Sequence, residues 1–430
     1  MAQKRESHIR RQITSLISPQ LIRRRGRDLG VVQRQRKVDI VAFVYTLILG
    51  FAASRRRSLA GLRRAYMLAT GTTLASSAFQ DRFTPALAEL MKQLAEHAFD
   101  KLSRGSTRMC LALQAFTRVF IVDGSLIRLP DALEDDYPSV WTNHTKASTK
   151  VHLVVNAKTR TPTITRIVPG CQHDLNLMTT GAWCREALLV FDLAYYQGRL
   201  FQRIMDVGGS FLCRVKKDAN FVVLRAADQR FIGNRTKDIL RRMRGRSFEC
   251  AVDYMHRNTP QRIWTQNHID LRLVAIWNRQ RKCHQQYLSN VSADQLAAAD
   301  MPAIYAMRWE IELLFRELKS QLSIDQIPSG NKAAADACIY AALLVLAIGR
   351  KLHRALQCRG RGLVDRFPFE RWSSILRQVA SDLLHMVLAP ASQSHTLSRR
   401  LTLLLRYEGK DPNRHRLLLK ARAQLGVLAH

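Results

Sequence analysis

The chain is poor in acid: 34 aspartates and glutamates stand against 68 lysines and arginines in 430 residues, a formal net charge of +34. Self-repulsion on that scale speaks against a neutral carrier or structural protein and calls for a polyanionic partner, of which nucleic acid is the usual one. Paired cysteines are also missing. Cys110, Cys171, Cys184, Cys213, Cys250, Cys283, Cys338 and Cys358 contain no CxxC, which excludes zinc-knuckle spacing and argues against a disulfide framework in so long a chain. They are expected as reduced packing residues in a cytoplasmic protein. The opening residues, MAQKRESHIRRQ, lack the apolar stretch of a signal peptide. The most apolar segments, 40–53 and 338–349, are shorter than the ~20 residues needed to cross a bilayer, so both are expected as buried helices with no membrane partner. No internal repeat, heptad array or low-complexity tract is found.

What the chain does have is apolar content. Hydrophobic residues make up 47% of it, enough for two or three domains with cores. The basic excess is spread out: residues 4–37 hold eleven basic side chains, 225–246 hold eight and 399–422 hold eight. Several separate basic surfaces suggest an extended double-stranded DNA track and not one small anion site.

Residues 1–112 read as a helical, DNA-binding domain. Ser58 can cap a helix through Leu62 and Tyr66, Gly71 breaks it, and Thr72 can cap the next; Thr84-Pro85 starts a third with Leu87, Leu90, Met91 and Leu94 on one face. The pair around Gly71 has the size of a helix-turn-helix, or of any helical hairpin. From residue 113 the texture changes to α/β. Short strands are expected at 118–123, 150–157, 161–168, 188–192 and 210–215, with helices at 174–184 and 198–205. Residues 216–300 read as a β-rich insertion, 301–350 as the return to the α/β core, and 351–430 as a basic helical region.

The densest signal is YAMRWEIELLFRELK, which begins at Tyr305. At about 100° per residue, Tyr305, Arg308, Glu312 and Lys319 lie within roughly 60° of one another on a helix over 304–322. Met307, Ile311, Leu314, Phe315, Leu318 and Leu322 form a separate apolar face, and Glu310 and Glu317 point elsewhere. Upstream, Asp123 and Asp192 each follow a strand. Taken singly, Asp123 reads as the turn residue of an Asp-Gly pair and Asp192 as a helix N-cap. If their strands are neighbours, both carboxylates leave one sheet edge and Glu312 can complete a triad. Three oxygen donors without His or Cys suit Mg²⁺ or Mn²⁺, and two such ions serve in-line displacement at phosphorus.

The ordered set Asp123, Asp192, Glu312, with Tyr305, Arg308, Glu312 and Lys319 in Y-x2-R-x3-E-x6-K spacing, resembles the DDE transposases of bacterial insertion sequences, in particular the IS-4 type with its Y-R-E-K signature. The resemblance covers most of the chain, including the β-rich insertion. It implies an RNase H-like catalytic core, two Mg²⁺ (or Mn²⁺) ions on Asp123, Asp192 and Glu312, and phosphate contacts from Tyr305, Arg308 and Lys319. It further implies nicking at the element's ends, attack by the freed 3′-OH, and a homodimer on DNA. In some relatives an aromatic of the insertion stacks a flipped base; Trp264 and Trp277 are the candidates, each also able to pack the β-rich region. The pattern departs from the family at Ser125, where Thr is common, and at Leu193 and Ala194, where a basic residue and Gly are common. His173-Asp174 resembles a pair found in such chains and is assigned to structure, as a helix N-cap. The alternatives are an RNase H-like nuclease without joining activity and a catalytically silent, transposase-derived DNA-binding protein.

Overall fold

The computed structural model describes residues 8–32, 38–53, 57–103, 113–140, 145–258, 265–357, 368–411 and 413. One nine-stranded sheet organises them. Its strands are β1 (Arg118–Arg128), β2 (Ser148–Asn156), β3 (Thr161–Pro169), β4 (Ala187–Phe191), β5 (Ser210–Arg214), β6 (Val222–Ala226), β7 (Phe248–Asn258), β8 (Thr265–Asn278) and β9 (Cys283–Ser289). Their order is β3-β2-β1-β4-β5-β9-β8-β7-β6. The first three are antiparallel, while β1, β4 and β5 run parallel. This half is the RNase H-like arrangement implied by the sequence resemblance. Beyond it β9 pairs antiparallel with both β5 and β8, so the strands of the β-rich segment continue the same sheet.

Alternation along the strands divides two apolar layers. Val119, Ile121, Leu188, Val190 and Leu212 face a large helical layer; Phe120, Val122, Leu189, Phe191, Phe211 and Cys213 face a smaller layer with the Gly198–Asp206 helix. In the helical layer the Lys332–Gln357 helix packs against the Pro85–Ser103 helix, which Thr84 caps through Leu87 N. The apolar segment expected at 338–349 is the middle of that longer helix. Its stretch Lys332–Ala355 is long and apolar enough to cross a membrane, and here its most apolar part is mostly buried in protein. Of the six described cysteines, none is disulfide-bonded; Cys171 and Cys283 are exposed and the others buried.

Four sequence expectations change. The helix after Gly71 begins at Ser76 and not at Thr72, because Leu74 is buried in an extended link whose carbonyl accepts from Arg63. Gly71 itself ends the preceding helix at φ 69°, a left-handed cap. The 174–184 helix is a four-residue helix, Asp174–Leu177, and a 3-10 turn, Ala182–Cys184, separated by extended Met178. β1 does not end at Asp123: it outlasts β4 and continues to Arg128 on β2 alone. The 304–322 helix is Met301–Ala306, Trp309–Arg316 and a π-helical turn, Glu317–Gln321. That turn follows from what Glu317 binds. Its carboxylate is buried, accepts from Arg350 at 2.6 Å and from Ser373, and ties the turn to two other helices.

Arg350→Met leaves the Glu317 charge buried with one neutral partner. The expected cost is about 3–5 kcal/mol, measured by denaturant unfolding of the full chain, with most of it recovered in Glu317→Leu/Arg350→Met.

Candidate active site

The sheet brings Asp123 and Asp192 to one edge. Val122 is the last residue of β1 paired with β4, opposite Phe191, so Asp123 and Asp192 both follow the final rung of that ladder. Alternation turns Asp123 to the helical side of the sheet, where Ile311 and Leu314 seat the Trp309–Arg316 helix. Glu312 stands on that helix between them, with Arg308 one turn earlier.

The electrostatics record how close these groups are. Burial, Asp192 and Glu312 drive the Asp123 carboxyl up to about 7, against a Gly124 N–H that donates to it at 2.8 Å and the nearby Arg308. Glu312 is engaged by Arg308 at 2.6 Å. Arg308 is held above its ordinary value: burial opposes its charge, and Tyr305, Glu312 and Asp123 outweigh that. Asp192 accepts from Ala194 N at 2.8 Å, so it caps the Leu193–Tyr195 turn as well as facing Asp123. The cap reading of Asp192 holds, whereas the turn reading of Asp123 does not, because Asp123 and Gly124 pair with Leu153 and His152 inside β1.

Tyr305 joins the group from the preceding helix. Burial pushes its hydroxyl up to about 12, with Arg308 and Arg214 opposing. Its ring lies 5.6 Å from Tyr287 on β9, with the Arg308 and Arg214 guanidiniums at 5.8 and 5.9 Å. Lys319 does not join them: the π turn sets it apart, burial lowers its pKa, and its electrostatic partner is Asp325. Trp277 packs edge-on to His284 at 4.9 Å. Trp264 lies outside the described residues.

Sequence reasoning missed two neighbours. Arg214 closes β5 one residue after Cys213, the partner of Phe191, and so stands beside Asp192 on the helical face. The signal was a lone basic residue ending an apolar strand at the edge that carries both aspartates. Trp309, 63% exposed, follows Arg308 directly. It falls off the helix's apolar face, which an unpartnered tryptophan in that motif could have announced.

The donor chemistry suits a hard divalent cation, because Asp123, Asp192 and Glu312 offer carboxylate oxygens without thiolate or imidazole. Among the described residues, however, no group of three or more His, Cys, Asp or Glu side chains closes around one point as a metal site. Glu312 is instead paired with Arg308.

The transposase DDE domain family matches residues 114–348, more than half of the chain. The transposase for insertion sequence element IS231B of Bacillus thuringiensis subsp. berliner is 21% identical over 372 residues, 77% of each chain. The transposase for IS1151 of Clostridium perfringens is 21% identical over 359 residues, covering 75% of this chain and 76% of its own. Among solved structures, the piggyBac transposase synaptic complex with hairpin DNA aligns at a TM-score of 0.45 and 11% identity, covering 94% of this chain and 85% of that one.

With Asp123 raised from 3.8 to about 7 in the folded state, the native protein binds a proton that the unfolded chain releases over that range. Its contribution to stability is complete below 3.8 and is lost as pH rises to about 7. Melting curves in chelator from pH 4 to 8 should show that loss, and Asp123→Asn should flatten it and melt higher than wild type at pH 8.

Proposed function

This chain belongs to the transposase DDE domain family of insertion sequences, and from that premise we propose that it cuts and joins DNA at the ends of its element by phosphodiester hydrolysis and transesterification. The observation that supports the reading is the shared end of the β1–β4 ladder, which Asp123 and Asp192 both follow, with Glu312 on the helix that Ile311 and Leu314 seat over that face. Asp123, Asp192 and Glu312 would hold two Mg²⁺ or Mn²⁺ ions. Bound there, such a pair supplies activation of the attacking oxygen and stabilisation of the leaving one.

The remaining work falls to the chain's own side chains. Arg308 can grip a phosphate bidentately and Arg214 can do so from the neighbouring strand. Arg308 now pairs with Glu312; exchanging that partner for an incoming phosphate frees the Glu312 carboxylate when substrate is in place. The Tyr305 hydroxyl, kept protonated by burial, donates a hydrogen bond to the same phosphate. Lys319, about two turns beyond Glu312, suits a more distant phosphate as a point charge. Trp309 is exposed next to these groups and offers a face on which an unpaired base can stack, alongside the earlier candidates Trp264 and Trp277. The basic runs, including 225–246, are proposed to carry flanking double-stranded DNA. Coordinated cutting of two ends calls for a homodimer on DNA.

Purified protein with Mg²⁺ and a labelled fragment carrying the DNA that flanks its gene should give nicks and joined products on denaturing gels. Asp192→Ala should abolish both while retaining DNA binding. Cleavage without joining of a pre-cut 3′-OH end would identify a plain nuclease, and an Asp192→Ala protein as active as wild type would remove the enzymatic reading. Trp309→Ala should weaken binding to an unpaired end by about 1–3 kcal/mol in a gel-shift titration and leave duplex binding unchanged.

A further inference from the structure

Directly behind Asp123, on the opposite face of the sheet, lies a polar group for which the chemistry above has no use. Gly124 is the next residue of β1 and pairs with His152 of β2. A Cβ on Gly124 would overlap Asp174 Oδ1 outright and would also stand 3.6 Å from Lys150 Cδ. Space, and not a left-handed backbone, makes glycine necessary here. Asp174 is itself fixed: its Oδ2 accepts from Lys150 Nζ at 3.0 Å, and Lys150 also donates to Gln172 O at 2.6 Å. His173 caps the same short helix through Leu175 N at 3.3 Å.

His152 and Tyr195 wall this spot, 1% and 0% exposed, with ring centroids 5.9 Å apart. Asp174 Oδ1, Tyr195 Oη and both His152 nitrogens are buried and find no hydrogen-bond partner among the described residues. Unpaired buried polar atoms are costly, and folds keep them chiefly where a site depends on them.

We propose that Asp174, braced by Lys150, is a positioning residue for Asp123: it holds the Gly124 peptide so that its N–H donates to the Asp123 carboxylate. A glycine left to itself samples many backbone orientations. The Asp174 carboxylate packed on its Cα removes that freedom from one side of the strand, and the donated hydrogen bond fixes Asp123 on the other. The His-Asp and Asp-Gly pairs, fifty residues apart in the chain, then act as one device. This rests on Asp123 being a cation-holding carboxylate.

The test is Mn²⁺ binding by the full chain without DNA, read from the electron paramagnetic resonance signal of free Mn²⁺ at pH 8, with melting curves to confirm folding. Asp123→Asn should remove binding; if it does not, the cation reading fails and takes this inference with it. Given that control, Asp174→Ala and Gly124→Ala should each weaken Mn²⁺ binding about 10–100-fold, as loss of a supporting partner does. Asp174→Asn, which keeps the shape and an acceptor for Lys150, should stay close to wild type. In Gly124→Ala/Asp174→Ala the new methyl fills the space the carboxylate leaves, so the double variant should bind no more weakly than Gly124→Ala alone. Losses that multiply in the double variant, or an Asp174→Ala protein that binds as wild type does, would overturn the proposal while leaving the Asp123 reading intact. Should Gly124→Ala not fold, the contrast between Asp174→Ala and Asp174→Asn decides.

Discussion

Negative charge that would rather disperse is held together at one sheet edge, and the surrounding structure is arranged around that constraint. Asp123 and Asp192 are brought there by backbone, since the β1–β4 ladder ends at Val122 and Phe191 and both carboxylates follow it. Glu312 is brought by packing, through Ile311 and Leu314. Opposing the repulsion are Arg308, the Gly124 N–H and a protein-wide excess of positive charge. Burial first, and then Asp192 and Glu312, raise the Asp123 carboxyl to about 7.

The helix that delivers Glu312 has to resist that repulsion, and its far end is correspondingly anchored. Arg57 donates to the carbonyls of Leu322 and Ser323, Arg377 to Gln321 O at 3.3 Å, and Arg350 and Ser373 to Glu317. These anchors come from chain segments before and after the sheet. The flanking helical regions are thus tied to the helix that carries Glu312.

The sequence made the period of these elements plain and their limits less so. Apolar alternation located all five strands of the core, and the face running from Met307 to Leu322 was legible because one buried side sets a 3.6-residue rhythm. The extension of β1 through Asp123 was hidden, because Asp-Gly is a turn signal in isolation and only the pairing with β2 overrides it. The π turn was hidden for a similar reason: it is imposed by Arg350 and Ser373, residues far along the chain. The stripe of Tyr305, Arg308 and Glu312 was legible as local information on one helix, and the two aspartates as acids that follow apolar runs. Arg214 was harder to read: a basic residue ending an apolar strand is a signal, but its significance lies in standing beside β4, and strand order is not written in any one segment.

The stripe itself explains why acid and base are interleaved and not segregated. A wholly acidic edge would concentrate cations but repel a phosphodiester, and a wholly basic one would do the reverse. Placing Arg308 four residues before Glu312 puts both charges on one line of the helix, where they neutralise each other at 2.6 Å until a better partner arrives for each. A phosphate satisfies the arginine, a cation the carboxylate, and each substitution makes the other less costly because it leaves its former partner exposed to an opposite charge. On the proposed function, that register would couple the loading of cation and DNA, because both exchanges break the same Arg308–Glu312 pair.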